Sequence, residues 1–172
     1  MTVVVLLGGA RSGKSRLALR LAERADAPLY FVATGEPGDD EMADRIDTHR
    51  GERSQEWTTI EEPVELEHAI RSLPAGATAV VDCLSLWVSN LIESRPMPEI
   101  EAAAVAAAAA AHARTGLTVT VTNEVGFGIV PVNPLARSYR DVLGRVNAVW
   151  VDASDEAYFV VAGRMLQLQE IE

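Results

Sequence analysis

The sequence predicts an α/β fold, a mostly parallel sheet flanked by helices, and three observations carry that prediction. Short apolar runs of strand length at residues 3–7, 29–33, 78–82 and 117–122 alternate with segments of helical pattern. A glycine-rich stretch, Gly8-Gly9-Ala10-Arg11-Ser12-Gly13-Lys14-Ser15, joins the first run to the first helical segment. The third of the four runs ends on an acid, Asp82.

The first run is β-branched, Val3-Val4-Val5-Leu6-Leu7, and Leu17, Leu19 and Leu21 continue beyond the glycines in a helix-forming segment. The stretch between them satisfies G-x-x-x-x-G-K-[ST] without adjustment, in the strand-loop-helix context that pattern requires. It reads as a P-loop, and the fold as P-loop NTPase-like. Gly8, Gly9 and Gly13 permit backbone paths that a Cβ would block, so that successive N–H groups of residues 8–15, Ala10, Arg11 and Ser12 among them, can face one anion. Lys14 can reach the terminal phosphates, Ser15 can offer its hydroxyl to Mg2+, and the helix adds the positive end of its dipole. The expected ligand is a nucleoside triphosphate with its magnesium.

At 172 residues the chain is expected to form a single P-loop α/β nucleotide-binding domain, residues 1–172. Its net charge of −10 argues against nucleic acid, whose backbone calls for a basic face, whereas one local cradle suffices for a nucleotide. No apolar stretch reaches membrane-spanning length and no basic segment precedes the first apolar run, so a cytoplasmic protein without a membrane span is expected. The single cysteine, Cys83, excludes an internal disulfide and reads as a small buried hydrophobe.

Beyond the first helix, residues 29–33 read as a second strand and residues 34–38 as a loop leaving its carboxyl end, the end that faces ligand in open α/β sheets. Thr34 is there either a phosphate or ribose contact or a turn residue. Asp39-Asp40-Glu41 suit a helix start, and Met42, Ile46, His49 and Arg53 then share one helical face with Arg45 beside it, the segment ending near Gly51. His49 is either packed at that helix edge or catalytic. Residues 57–63 read as a short extended piece feeding a helix over 64–72, on which His68 is a surface residue.

Residues 78–82 read as a third strand in the form of a Walker B element, with Asp82 either a magnesium ligand or a cap of the hydrophobic helix that follows. Residues 96–100 read as a connector and 101–114 as an alanine-rich helix packing closely on the sheet or on another subunit. The strand at 117–122 delivers Asn123-Glu124 to its carboxyl end, followed by a Gly/Pro-shaped loop. A helix over 134–146 carries Arg137 and Arg140, which share a face and either clamp phosphates or pair with Asp141 or with another subunit. Residues 148–152 and 158–162 read as two last strands, the latter turning at Gly163 and returning through Met165 to Leu168.

GGARSGKS, DDEMADRIDTHR, VVDCLSLWVSNL, VTNEVGFGIVP and ARSYRDVLGRVN, in this order and at these distances, resemble the adenosylcobinamide kinase / adenosylcobinamide-phosphate guanylyltransferase family of cobalamin biosynthesis. The resemblance covers nearly the whole chain, and TNEVG-x-GIVP and RDxxGRVN are its specific parts; Ala148 stands where relatives often carry Gln. It implies a homotrimer of a P-loop fold that performs two reactions. ATP or GTP phosphorylates the aminopropanol hydroxyl of adenosylcobinamide, and GTP then donates GMP to that phosphate through a GMP-histidine adduct on the residue matching His49. It further implies nucleotide contacts at Ala33, Thr34 and Gly35, at Arg50, Gly51, Glu52 and Arg53, at Glu61 and at Asp82.

Overall fold

Strand β1 (Thr2–Gly8) is covered on both faces, so its side chains divide with the period of two that a strand imposes. Val3, Val5 and Leu7 enter one apolar cluster, Val4 and Leu6 the other. In this computed structural model, which describes residues 2–36, 38, 50–51 and 54–170, β1 lies inside a seven-stranded sheet. The others are β2 (Leu29–Ala33), β3 (Trp57–Glu61), β4 (Thr78–Asp82), β5 (Leu117–Asn123), β6 (Glu156–Val161) and β7 (Arg164–Gln167), in the order β3-β2-β4-β5-β1-β6-β7. β1 to β6 pair in parallel, while β7 runs antiparallel to β6.

Helix α1 (Lys14–Ala22) lays Ala18, Leu19 and Ala22 on Val4, Leu6, Val80, Val119 and Val121 of one face. Helices α2 (Leu66–Ser72), α3 (Leu84–Leu91), α4 (Met97–His112) and α5 (Pro134–Asp152) cover the other. The alanines of α4 bury themselves between α2 and α5, small side chains letting three helices approach over the sheet.

Three expectations change. Residues 148–152 are not a strand: α5 continues through them to Asp152. Val142, Leu143, Val146 and Trp150 recur at helical spacing and all are buried, so a facing core decides against the local β-preference of Val149 and Val151. Residues 57–61 are a full strand, which takes the edge beside β2 and makes residues 78–82 the fourth strand. The expected connector at 96–100 is mostly helix, since α4 begins at Met97, with Pro98 tolerated in its first turn. The helix expected over 39–51, with His49, lies outside the described residues apart from Arg50 and Gly51, which are helical.

Candidate nucleotide site

Six parallel strands point their carboxyl ends to one edge of the sheet, and most residues singled out in the sequence gather there. Ala33 at the end of β2 is in register with Glu61 of β3 on one side and Asp82 of β4 on the other, while Gly8 is in register with Asn123. Thr34 and Gly35 leave β2 at the same level, and residues 8–15 leave β1.

The loop that follows β1 is tightly wound. Ser12 N–H donates to Gly9 O (3.3 Å), and the Lys14 ammonium turns back onto Gly8 O (2.9 Å) and Gly9 O (2.8 Å). Lys14 is only 6% exposed, and burial lowers its pKa while the nearby Asp82 carboxylate works against that shift. Lys14 therefore feels the end of β4 although β5 lies between β4 and β1. Gly13 starts α1 with φ +99°, no side chain caps the first turn, and no acid occupies it. The positive end of the helix is left to an anion.

Ser15, in the first turn of α1, and Asp82, at the end of β4, are half-buried hard-oxygen donors. Among the described residues no group of three or more His, Cys, Asp or Glu could hold a metal ion. A cation here must complete its shell with phosphate oxygens and water, and that is the habit of Mg2+. The donor set fits the ion.

Thr34 is fully buried, and its hydroxyl donates to Cys83 O (2.7 Å) while accepting from Cys83 N–H (2.8 Å). It ties the ends of β2 and β4 together. Cys83 is buried with its thiol 3.0 Å from Ser85 Oγ, and burial first, then Asp82, pushes its pKa up to about 11. Arg50 and Glu61 form an exposed ion pair at the end of β3, and Gly51 beside it is exposed. Arg140 pairs with Asp141, whereas Arg137 donates to the carbonyls of Pro131 (2.9 Å) and Val132 (2.7 Å). His49, Glu52 and Arg53 lie outside the described residues.

Sequence reasoning overlooked the residues that hold this edge in shape. Asn147 of α5 donates to Asn123 O (3.0 Å) and accepts from the Thr122 hydroxyl (2.6 Å). Asn90 of α3 gives its amide to Thr34 O (2.7 Å) and Pro63 O (3.1 Å). A polar amide inside an otherwise apolar helical stripe was the available signal. The contact between Gly163 N–H and Ser12 O (2.8 Å) had no signal in the sequence at all.

A parallel sheet with a phosphate-type cradle between its first strand and helix, and an acid ending a strand one removed from it, defines a P-loop NTPase-like α/β protein. Solved structures show the same fold at low identity. An ATPase from the type III secretion system of pathogenic bacteria aligns at TM-score 0.58 and 11% identity, covering 92% of this chain and 50% of that one. PH0250 from Pyrococcus horikoshii aligns at 0.59 and 8% identity, covering 99% and 87%. The family model for cobinamide kinase / cobinamide phosphate guanyltransferase matches residues 4–168, and the chain belongs to that family. The bifunctional adenosylcobalamin biosynthesis protein CobP of Pseudomonas aeruginosa is 38% identical over 166 residues, 96% of each chain. The CobU proteins of Escherichia coli and Salmonella typhimurium are 37% and 40% identical, each over 94% of this chain and 96% of the relative.

Proposed function

We propose that this chain, as a single P-loop domain over residues 1–172, carries out both reactions for which its family is named. The observation that carries the reading is the cradle at residues 8–15, with Lys14 and an uncapped helix start, in a chain of this family. In the first reaction the aminopropanol hydroxyl oxygen of adenosylcobinamide attacks the γ-phosphorus of ATP or GTP. The bond between the γ-phosphorus and the β–γ bridging oxygen breaks, the hydroxyl proton passes to solvent, and a nucleoside diphosphate leaves. Lys14 exchanges Gly8 O and Gly9 O for phosphate oxygens, and the first-turn N–H groups of α1 face the same charge. When bound, Mg2+ held by Ser15 and Asp82 neutralises charge on the phosphates.

In the second reaction a neutral His49 nitrogen attacks the α-phosphorus of GTP and pyrophosphate leaves. A phosphate oxygen of adenosylcobinamide phosphate then displaces the histidine, giving adenosylcobinamide-GDP and the free imidazole. Ala33, Thr34, Gly35, Arg50, Gly51, Glu52, Arg53 and Glu61 form the surrounding nucleotide contacts.

The protein works in the cytoplasm on small molecules rather than nucleic acid, and no helix among the described residues is long and apolar enough to cross a membrane. It assembles as a homotrimer, a reading supported by the uncovered apolar side chains of residues 125–135 and of β7.

Incubation with GTP labelled at the α-phosphate is expected to leave acid-labile label on the wild-type chain and none on the His49→Ala variant, which still phosphorylates cobinamide. Unlabelled wild type, or equal label on the variant, removes His49 from the mechanism.

A further inference from the structure

Strand β7 contributes no buried side chain: Arg164, Met165, Leu166 and Gln167 are all exposed. Its contribution lies in the turn it closes. Val160 pairs with Met165 and Val161 with Arg164, leaving Ala162 and Gly163 as a two-residue connection with φ +49° and +72°. Both central residues are left-handed, as the tight hairpin turn matching strand twist requires.

That turn and the end of β6 meet the phosphate cradle at three points. Gly163 N–H donates to Ser12 O at 2.8 Å. A Cβ on Gly13 would stand 3.4 Å from Gly163 Cα, and a Cβ on Gly8 would come within 2.3 Å of Val160 O. Gly8 is thus required by contact with β6, and Gly13 is favoured by its φ of +99°, before any phosphate is considered.

We propose that the β6–β7 turn positions the cradle, with Gly163 as the positioning residue: by holding Ser12 O, its N–H sets the direction of the Gly13 N–H. The argument is geometrical. In a trans peptide the carbonyl and the following N–H point in opposite directions. With Ser12 O fixed on the hairpin, Gly13 N–H is aimed away from it, as a donor at the start of α1. Were this peptide to flip, a carbonyl lone pair would replace the donor on the anion's side, and attraction would become repulsion. Lys14 holds Gly8 O and Gly9 O in the same loop but makes no bond to Ser12 O, so the hairpin restrains a peptide that the lysine does not. Gly163 acts through the cradle and touches no reacting atom.

The inference rests on the nucleotide role proposed above, and the test separates the two. Gly163→Val cannot hold φ near +72° and withdraws the N–H, whereas Gly163→Asn tolerates that φ and keeps it. Insertion of two glycines between Ala162 and Gly163 uncouples the contact without that strain and serves if the valine variant does not fold. GTP affinity is measured by calorimetry, alongside KM for nucleotide and for cobinamide and the thermal midpoint. The valine and insertion variants are expected to bind GTP at least tenfold more weakly, with KM for cobinamide within twofold of wild type, and the asparagine variant to bind normally. Unchanged GTP affinity in a folded valine or insertion variant overturns the proposal, as does an equal rise in both KM values. A wild-type protein that binds no GTP overturns the proposed function itself.

Discussion

The loops that leave β1 and β5 start side by side, Glu124 N–H donating to Gly8 O at 3.1 Å, yet they treat solvent in opposite ways. Residues 8–15 turn their polar groups inward: Lys14 is buried on the loop's own carbonyls, and Ser12 O is held by Gly163. Residues 125–132 turn apolar side chains outward, with Phe127 84%, Ile129 97% and Val132 95% exposed. The second loop is nonetheless held in shape. Asn147 fixes its start, the Glu124 carboxylate accepts from Gly126 N–H, and Arg137 holds the Pro131 and Val132 carbonyls. Asn133 then caps α5 by accepting from Leu135 N–H (2.8 Å) and Ala136 N–H (3.2 Å). The difference teaches where each loop finds its partner. A cradle for charge needs donors fixed in advance, because reorganising dipoles around an arriving anion costs free energy. A shaped apolar loop gains from covering surface, which the single chain leaves undone.

The contrast is broken most severely at Lys14. Lys14→Ala removes the cation and leaves Gly8 O and Gly9 O without it, so both phosphorylation and guanylylation are expected to fall by about 100-fold or more at saturating nucleotide. The check is turnover of each reaction with the thermal midpoint measured in parallel. Loss of only one activity would mean that the cradle serves one reaction and not the other.

Next in size is the outward-facing loop. Ile129→Ser combined with Val132→Ser should change the stability of an isolated chain by no more than about 0.5 kcal/mol, since both side chains are exposed in it. If the loop is covered by further copies, sedimentation velocity will show the assembly dissociating at concentrations where wild type stays associated. An undisturbed assembly would take these residues out of the subunit contact.

The smallest effect lies behind the cradle. The Cys83 thiol is raised from 9.0 to about 11 and the Tyr139 hydroxyl from 10.0 to about 12, burial being the first cause in each. An acid held protonated in the fold gives up its proton earlier in the unfolded chain. Stability is therefore full below pH 9.0 and declines as pH rises toward about 11 and then 12. Denaturation midpoints across this range should fall for wild type, and Cys83→Ala should blunt the first part of the fall. A flat profile for wild type would contradict the buried, protonated thiol.

Much of the fold was legible because it depends on short-range rules. Apolar runs of strand length marked β1, β2, β4 and β5, and the glycine spacing with Lys14 and Ser15 marked the cradle from its chemistry alone. The tail of α5 was misread as a strand because Val149 and Val151 favour strands locally, while the burial of Trp150 that decides the matter is a tertiary fact. Thr34 was open between a ligand contact and a turn residue, and its role in tying β2 to β4 was invisible because its partner Cys83 is distant in sequence.

By itself, then, the sequence determined the strand-loop-helix cradle, the acid at the end of β4 and the family motifs, because each rests on residue identity and on spacing along one stretch of chain. Only the tertiary structure decided that β5 separates the cradle strand from Asp82, that Asn90 and Asn147 tie the loops, and that Gly163 meets Ser12. Those contacts join residues far apart in the chain, and each depends on the direction of a backbone or amide group that no local pattern of side chains specifies.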